Sequence, residues 1–160
     1  MTQVFVAIGS NYNAQANVLA ALAALEKFFG GLNVSSVYKN PSLENGGGDY
    51  LNLVVAFSTA LTGKELIYNL KSIEKRLGRT AFSKLDQKVC IDLDLILFGG
   101  FIGLIGSTNI PSVSVVKHSF VLAPLAEIAA RVKEPHSGES YAALWEKFDK
   151  RRHVLTKVSF

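Results

Sequence analysis

The sequence lacks several features, and each absence excludes a class of protein. It contains one cysteine, Cys90, so an intrachain disulfide is excluded and a reducing compartment is indicated. The most apolar segment, residues 93–105, is interrupted by three glycines and is too short to span a bilayer. The N-terminus, MTQVFVAIGSN, lacks the basic and long apolar regions of a signal peptide. We therefore expect a cytoplasmic protein with no membrane partner.

Charge of one sign is not concentrated in the chain. The net charge is +4 and the pI is near 9.2, but lysines and arginines are spread from Lys27 to Lys157. The one dense basic run, residues 150–152, lies near the C-terminus, where solvated tails are common. We therefore expect no nucleic-acid partner, and polyphosphate suits a small basic domain better.

The composition is that of a globular chain. Apolar residues make up 49% and charged residues 19% of 160 residues, which is a suitable length for one domain. Ten phenylalanines and five tyrosines favour a well-packed core. No internal linker or repeat is evident, so residues 1–160 are interpreted as a single domain.

Hydrophobic periodicity predicts alternating strands and helices. The predicted strands span residues 3–8, 32–39, 50–59 and 89–98, with a hairpin arm at 101–105, and the predicted helices span 18–29, 63–77, 120–130 and 141–150. Residues 40–48 and 80–88 are predicted as loops. The order βαββαβ with a C-terminal elaboration predicts an α+β, ferredoxin-like fold with an antiparallel sheet. We expect helices on one face of this sheet and an open second face for loops and ligand.

The segment IDLDLIL, residues 91–97, carries the clearest chemical signal. Because side chains alternate along a strand, Asp92 and Asp94 project from the same face. Two neighbouring carboxylates among apolar residues repel each other unless a cation lies beside them. Mg²⁺ is typically held by one or two carboxylates together with substrate phosphates. A magnesium site is one interpretation, and a solvent-facing polar stripe on a half-buried strand is the other.

Four further residues stand where the patterns predict core. Asn52 and Glu74 are polar groups that need partners there, and Tyr50 and Phe120 could bracket a flat ring. Taken separately, each of the four is better interpreted as structural.

Five segments occur in a fixed order that is similar to a known family. They are AIGSN (7–11), DYLN (49–52), IEKRLGR (73–79), IDLDLILFG (91–99) and FVLAPLAEIA (120–129). This series resembles 6-hydroxymethyl-7,8-dihydropterin pyrophosphokinase, an enzyme of folate biosynthesis, from about Val4 to about Ala130. The resemblance implies a ferredoxin-like fold with three mobile loops. It also implies transfer of the β,γ-pyrophosphoryl group of ATP to the hydroxymethyl oxygen of a pterin.

The resemblance also implies roles for particular residues. Asp92 and Asp94 would hold two Mg²⁺ ions with ATP, and Arg79 would join them in catalysis. The pterin-binding residues would be Asn40, Leu43, Tyr50, Asn52 and Phe120. The expected nucleotide-binding residues are Lys71, Glu74, Lys88, Leu95 and His118, of which Lys71, Lys88 and His118 would substitute for arginines of the family.

The chain departs from the family pattern where the triphosphate is held. Asp86 and Val89 replace a tryptophan and an arginine of the loop before the aspartates, and Ala81 replaces a second arginine. Ser112-Val113 replaces a His-Tyr or His-Pro pair after Pro111, and His118 replaces a further arginine. Charge-assisted hydrogen bonds contribute about 1.5–3 kcal/mol each, so these departures predict weaker ATP binding.

Three functions remain open from the sequence. The first is an active pyrophosphokinase with a rewired nucleotide site, in which lysines replace arginines without the bidentate fork. The second is a pterin-binding or regulatory homologue with little or no kinase activity, and the third is a related transferase with a different acceptor. ATP and a pterin are the expected partners, and we expect a monomer or weak homodimer.

Overall fold

The computed structural model describes residues 1–41, 48–78, 88–151 and 154–160. Within these ranges the strands are β1 (Thr2–Ser10), β2 (Asn33–Val34), β3 (Val37–Asn40), β4 (Tyr50–Thr59), β5 (Asp92–Phe98), β6 (Gly103–Ile105), β7 (Thr108–Ile110) and β8 (Thr156–Val158). The helices are α1 (Ala14–Phe29), α2 (Gly63–Arg76), α3 (Ser114–Lys117), α4 (Ser119–Ile128) and α5 (Tyr141–Lys147).

The main sheet has the strand order β5-β1-β4-β3-β8, with β2 also paired to β4. Every pairing within it is antiparallel. Strand β4 pairs with the whole length of β1, from Thr2 opposite Thr59 to Ser10 opposite Leu51. A separate hairpin is formed by β6 and β7. The expected combination of helices with an antiparallel sheet is therefore confirmed.

Helices α1 and α2 cover one face of the sheet. Alternate residues of β1 and β4 pack there against the apolar sides of the two helices, which bury Val18, Ala21, Leu25, Leu66, Leu70 and Ile73. Helix α2 begins with the expected N-cap, because Thr62 and Glu65 form a reciprocal capping box. This core holds the β5 end of the sheet against α2.

The second face is also covered, so the expectation of an open face is wrong over most of its area. Helices α3, α4 and α5 pack there against a second apolar cluster that includes Phe5 and Ala56. The reason lies in the apolar centre of β4, where Val54 and Val55 point to opposite faces and are both fully buried. A strand that is apolar on both sides needs a covering layer on each side. The end of this face near the C-terminal end of β1 remains accessible.

Several boundaries differ from those predicted. The strand predicted at residues 32–39 is divided into β2 and β3, and β5 begins at Asp92 rather than at residue 89. Strands β7 and β8 and helix α3 were not predicted, because elements of three or four residues are too short to show a period. Most of the loop predicted at residues 80–88, and of that at 40–48, lies outside the described ranges. In the described part, no helix has the length and apolar character needed to cross a membrane.

Candidate functional site

A cavity of about 470 Å³ opens at the accessible end of the second face. It lies where β1 and β3 end and where β4 and β5 begin, and α2, β7 and α4 contribute to its walls. Both aspartates, both buried asparagines and both aromatic residues singled out above line it: Asn40, Tyr50, Asn52, Asp92, Asp94 and Phe120. The fold therefore brings the two halves of the predicted site to a single cavity.

The sheet register sets these groups side by side. Gly9 of β1 lies opposite Asn52 of β4 and opposite Asp92 of β5, while Asp94 lies opposite Ala7. Alternation along the strands then places both carboxylates on the same face as the Asn52 amide. A Cβ atom at Gly9 would lie 2.9 Å from Asn52 Oδ1, so the absence of a side chain there keeps the cavity floor open.

The two aspartates form the acidic side of the cavity. The Asp94 side chain is 58% exposed, and its Oδ1 lies 3.7 Å from Lys71 Nζ. Among the described residues, no group of three or more histidine, cysteine, aspartate or glutamate side chains could hold a metal ion. Two carboxylates alone fit Mg²⁺, which completes its oxygen shell with water and substrate phosphates. The donor set therefore fits a Mg²⁺ that arrives with a nucleotide.

Glu74 supports the strand that bears the aspartates. It is 2% exposed, and its Oε1 accepts hydrogen bonds from the Leu93 N–H at 2.7 Å and from Lys71 Nζ at 3.3 Å. Because β5 is the outermost strand of the sheet in the described part of the chain, its outward N–H groups face no neighbouring strand there. Glu74 supplies an acceptor at Leu93, between the two aspartates. Its predicted need for a partner is confirmed, although it is not among the residues that line the cavity.

The two asparagines form the amide side of the cavity. Asn52 Nδ2 donates to Asn40 Oδ1, and Asn40 Nδ2 donates to the Pro41 carbonyl at 3.1 Å. Both side chains are buried, at 8% and 5% exposure, so these hydrogen bonds satisfy groups that are shielded from water.

Two aromatic rings also contribute to the cavity wall. Tyr50 and Phe120 are each half-buried and line the cavity. The Phe120 ring stacks on His118, with centroids 4.8 Å apart and planes tilted by 11°. His118 precedes α4 as its N-cap residue.

The other predicted nucleotide residues are more scattered. Lys71 and Leu95 line the cavity, and Leu95 is 3% exposed within the core. Lys88 is exposed, with its Nζ 5.0 Å from the centre of the Tyr12 ring. Leu43 and Arg79 lie outside the described residues, as do Ala81 and Asp86.

Two features of the site were not predicted from the sequence: part of the cavity wall and the structural reason for the AIGSN motif. The segment from β7 to α3 contributes Thr108, Asn109 and Ser114, which no sequence pattern indicated, beside Ser112, which the family resemblance had already placed near the triphosphate. The Ser112 N–H bonds to the Ile96 carbonyl at 3.0 Å, which anchors that segment on β5. The polar residues on either side of Pro111 are the sequence feature that could have indicated this part of the cavity wall.

The motif AIGSN connects β1 to the segment before the aspartates. Ser10 Oγ donates to the Cys90 carbonyl at 2.6 Å, and Asn11 exchanges hydrogen bonds with the backbone of Val89. These bonds hold residues 89–90 beside the end of β1. The regular strand β5 then begins at Asp92.

Comparison with known proteins gives a consistent result. The family model described as 7,8-dihydro-6-hydroxymethylpterin-pyrophosphokinase (HPPK) matches residues 5–130. The Haemophilus influenzae protein named 2-amino-4-hydroxy-6-hydroxymethyldihydropteridine pyrophosphokinase is 32% identical to this chain over 141 residues. The match covers 86% of this chain and 88% of that protein. Its Aquifex aeolicus counterpart is 30% identical over 138 residues, covering 84% and 85% of the two chains.

Longer proteins contain the same unit. Folic acid synthesis protein fol1 of Pneumocystis carinii is 33% identical over 149 residues, so this chain matches 90% of its own length and 20% of that protein. The Plasmodium falciparum HPPK-DHPS crystal structure has a TM-score of 0.74 at 14% identity, covering 91% of this chain and 41% of that one. This chain therefore shares its fold with the HPPK-DHPS structure. On the family match and on relatives of similar length, the chain belongs to the 7,8-dihydro-6-hydroxymethylpterin-pyrophosphokinase family.

Proposed function

We propose that this chain transfers pyrophosphate from ATP to the hydroxymethyl group of 6-hydroxymethyl-7,8-dihydropterin in folate biosynthesis. Family membership supports this reaction. The observation that carries it is the row of Asn52, Gly9 and Asp92 across three strands in one cavity. The Asn52 amide at one end of this row can form hydrogen bonds with the edge of a heterocycle. The Asp92 carboxylate at the other end is suited to a Mg-nucleotide.

The protein contributes mainly positioning. Asn52 binds the edge of the pterin ring, and Tyr50 and Phe120 pack against the ring. Neighbouring strands lie about 4.8 Å apart, so Asn52 and Asp92 stand about 10 Å apart on either side of Gly9. A bicyclic ring bound at the amide therefore has room to direct its hydroxymethyl group toward the carboxylates. Holding acceptor and phosphate in this geometry replaces a bimolecular encounter.

The carboxylates serve the nucleotide side. Asp92 and Asp94 are the residues that would hold two Mg²⁺ ions with ATP, and those ions would supply charge neutralisation for the transferred phosphates. Lys71, Lys88 and His118 are proposed cationic contacts for the triphosphate, with Glu74 and Leu95 nearby on the nucleotide side. Arg79 and Leu43 keep the catalytic and pterin-binding roles that the family resemblance implies.

Three finer assignments belong to the same proposal. The order β5-β1-β4-β3 supports a ferredoxin-like core, to which β8 and α3–α5 are the elaboration. The single cysteine supports a cytoplasmic location. A monomer or weak homodimer remains the proposed assembly.

A pterin-binding protein with little turnover is the second candidate. It is favoured by the replaced triphosphate residues, since Val89, Ser112 and His118 offer no bidentate guanidinium. Calorimetric titration of one sample with a non-hydrolysable Mg-ATP analogue and then hydroxymethylpterin separates the two candidates, when followed by a turnover assay. Binding of both ligands with pyrophosphate transfer is expected. Pterin binding without transfer supports the second candidate, and failure to bind pterin contradicts both.

A further inference from the structure

Three lysines and a tyrosine form a row on the solvent-facing side of α2. Lys64, Tyr68, Lys71 and Lys75 follow one another at intervals of four, three and four residues. At about 100° per residue they lie within about 60° of one another around the helix axis, and the row is about 16 Å long. All four residues are exposed, and no acidic residue belongs to the row. We refer to these four residues as the α2 stripe.

The positive charge of the stripe is only partly compensated. In the described part of the chain, no carboxylate forms an ion pair with Lys64 or Lys75. Lys71 Nζ lies 3.3 Å from Glu74 Oε1 and 3.7 Å from Asp94 Oδ1. Exposed cations without partners create a positive potential that attracts anions from a distance. The stripe is therefore a local source of attraction for a polyanion.

The other helix on this face of the sheet has no such row. Helix α1 spans 16 residues, and its charged residues are Glu26 and Lys27, whose charges cancel. The two acidic residues of α2 are both engaged, Glu65 in the capping box and Glu74 with the Leu93 N–H. The basic surface of α2 is therefore a property of this helix and not merely of the net charge of the chain.

The stripe runs along the edge of the cavity. Ile67, Leu70 and Lys71 line the cavity, so α2 forms one of its walls. Lys71 belongs to both the wall and the stripe. Lys64 and Lys75 lie about 10 Å and about 6 Å from it along the helix, in opposite directions. Because neither of these two lysines lines the cavity, they can attract an anion toward it without touching the anion once it is bound.

We propose that the α2 stripe is a steering surface for the triphosphate of a nucleotide, which raises the rate at which the nucleotide reaches the cavity. Attraction of this kind raises association rate constants by about 10- to 1,000-fold in favourable cases and falls steeply with ionic strength. The inference rests on the proposed function for the identity of the nucleotide. The charge of the stripe does not depend on any ligand.

Stopped-flow mixing with a Mg-ATP analogue that carries a fluorescent group on its ribose measures association and dissociation separately. Lys75→Met removes one unit of charge and Lys75→Glu changes the charge by two units, at a residue that does not line the cavity. Lys27→Glu is the matched control, because it changes the net charge as much as Lys75→Glu does, at an exposed residue of α1. Circular dichroism checks that each variant is folded.

The expected effect depends on salt. At an ionic strength of about 10 mM the Debye length is about 30 Å, so the charge of Lys75 acts over the whole edge of the cavity. We expect Lys75→Glu to slow association about fivefold and Lys75→Met about twofold under these conditions. At about 1 M salt, where the Debye length is about 3 Å, parent and variants should associate at the same rate. Dissociation should keep its parental rate throughout, and Lys27→Glu should behave as the parent does.

Three results would overturn the inference. Parental association of Lys75→Glu at low salt would show that the stripe does not steer. Equal slowing by Lys27→Glu would show an effect of net charge alone. Faster dissociation with unchanged association would show that Lys75 contacts the bound nucleotide instead.

NMR of isotope-labelled protein with inorganic tripolyphosphate, in the absence of metal, tests the stripe apart from the proposed function. At low salt the amide signals of residues 64–75 should shift more than those of α1, and Lys75→Glu should reduce the shifts. Shifts no larger than those of α1 would overturn the inference. If the expected shifts are found and no Mg-nucleotide binds in the cavity, the proposed function fails instead, and the stripe remains a polyphosphate-binding surface.

Discussion

Replacing Lys71 by methionine should move metal affinity and nucleotide affinity in opposite directions. Lys71 Nζ lies 3.7 Å from Asp94 Oδ1 and 3.3 Å from Glu74 Oε1, at the edge of the cavity. Its charge therefore lies beside the carboxylate that is proposed to bind Mg²⁺. Methionine retains most of the apolar stem and removes only the cation. Glu74 keeps its hydrogen bond to the Leu93 N–H in this variant.

The size of the effect follows from the exposure of the pair. Unit charges about 4 Å apart interact by about 1 kcal/mol in water and about 4 kcal/mol at an effective dielectric constant of about 20. The side chains of Lys71 and Asp94 are 51% and 58% exposed, so the lower value applies. Lys71 competes with a metal ion for Asp94 by about this 1 kcal/mol, and removing that competition corresponds to about a fivefold gain in affinity for a free divalent ion. The free energy of unfolding should change by less than about 1 kcal/mol.

Titration of the protein with Mn²⁺, followed by electron paramagnetic resonance at low ionic strength, measures this gain without any turnover. Low salt is needed because surface interactions are screened. Lys64→Met, another exposed lysine near the start of α2, is the control and should leave Mn²⁺ affinity unchanged. With a Mg-ATP analogue, Lys71→Met should bind more weakly, since a cation for the triphosphate is lost. Unchanged or weaker Mn²⁺ binding would refute the placement of the metal at Asp94.

Four further predictions concern the site and its support. Asp94→Ala should abolish metal-dependent nucleotide binding, measured by calorimetry, with little change in Tm. Nucleotide binding as tight as that of the parent would contradict the proposed metal site. Glu74→Ala should lower the free energy of unfolding by about 1–3 kcal/mol, because the buried Leu93 N–H loses its acceptor. Glu74→Gln should lose less in the same urea titration, and equal losses would contradict this role. Arginine at position 89 or 118 should strengthen Mg-ATP binding more than lysine there, because only arginine offers a planar bidentate fork; no difference would mean that these positions do not face the triphosphate. Burial alone would raise the pKa of Glu134, but hydrogen bonds from residues 136 and 137 lower it to about 2. Its contribution to stability is therefore complete above the ordinary pKa of 4.5 and is lost as the pH falls toward 2. In urea titrations repeated at several pH values, Glu134→Gln should reduce the fall in the free energy of unfolding between pH 4.5 and pH 2. An unchanged fall over this range would contradict the role of Glu134.

The sequence by itself determined the elements that depend on neighbours a few residues apart. Strand β4 occupies residues 50–59 as predicted, and α2 begins after the Thr62 cap as predicted. The shared face of Asp92 and Asp94 follows from strand alternation alone. The family could be recognised because five short segments keep their order, which requires no knowledge of their contacts. These features are local, so propensity and periodicity are enough to find them.

Only the tertiary structure decided which of these elements meet and how. The second covered face depends on α4 reaching back to β4 and on α5 packing against α4, and β8 pairs with β3 from a distant part of the chain. The hydrogen-bonded amides of Asn40 and Asn52 require the register between β3 and β4. The open cavity floor at Gly9 requires β1 to lie between β4 and β5. Such contacts join residues that no local pattern relates, because they form when apolar surfaces distant in sequence are buried together.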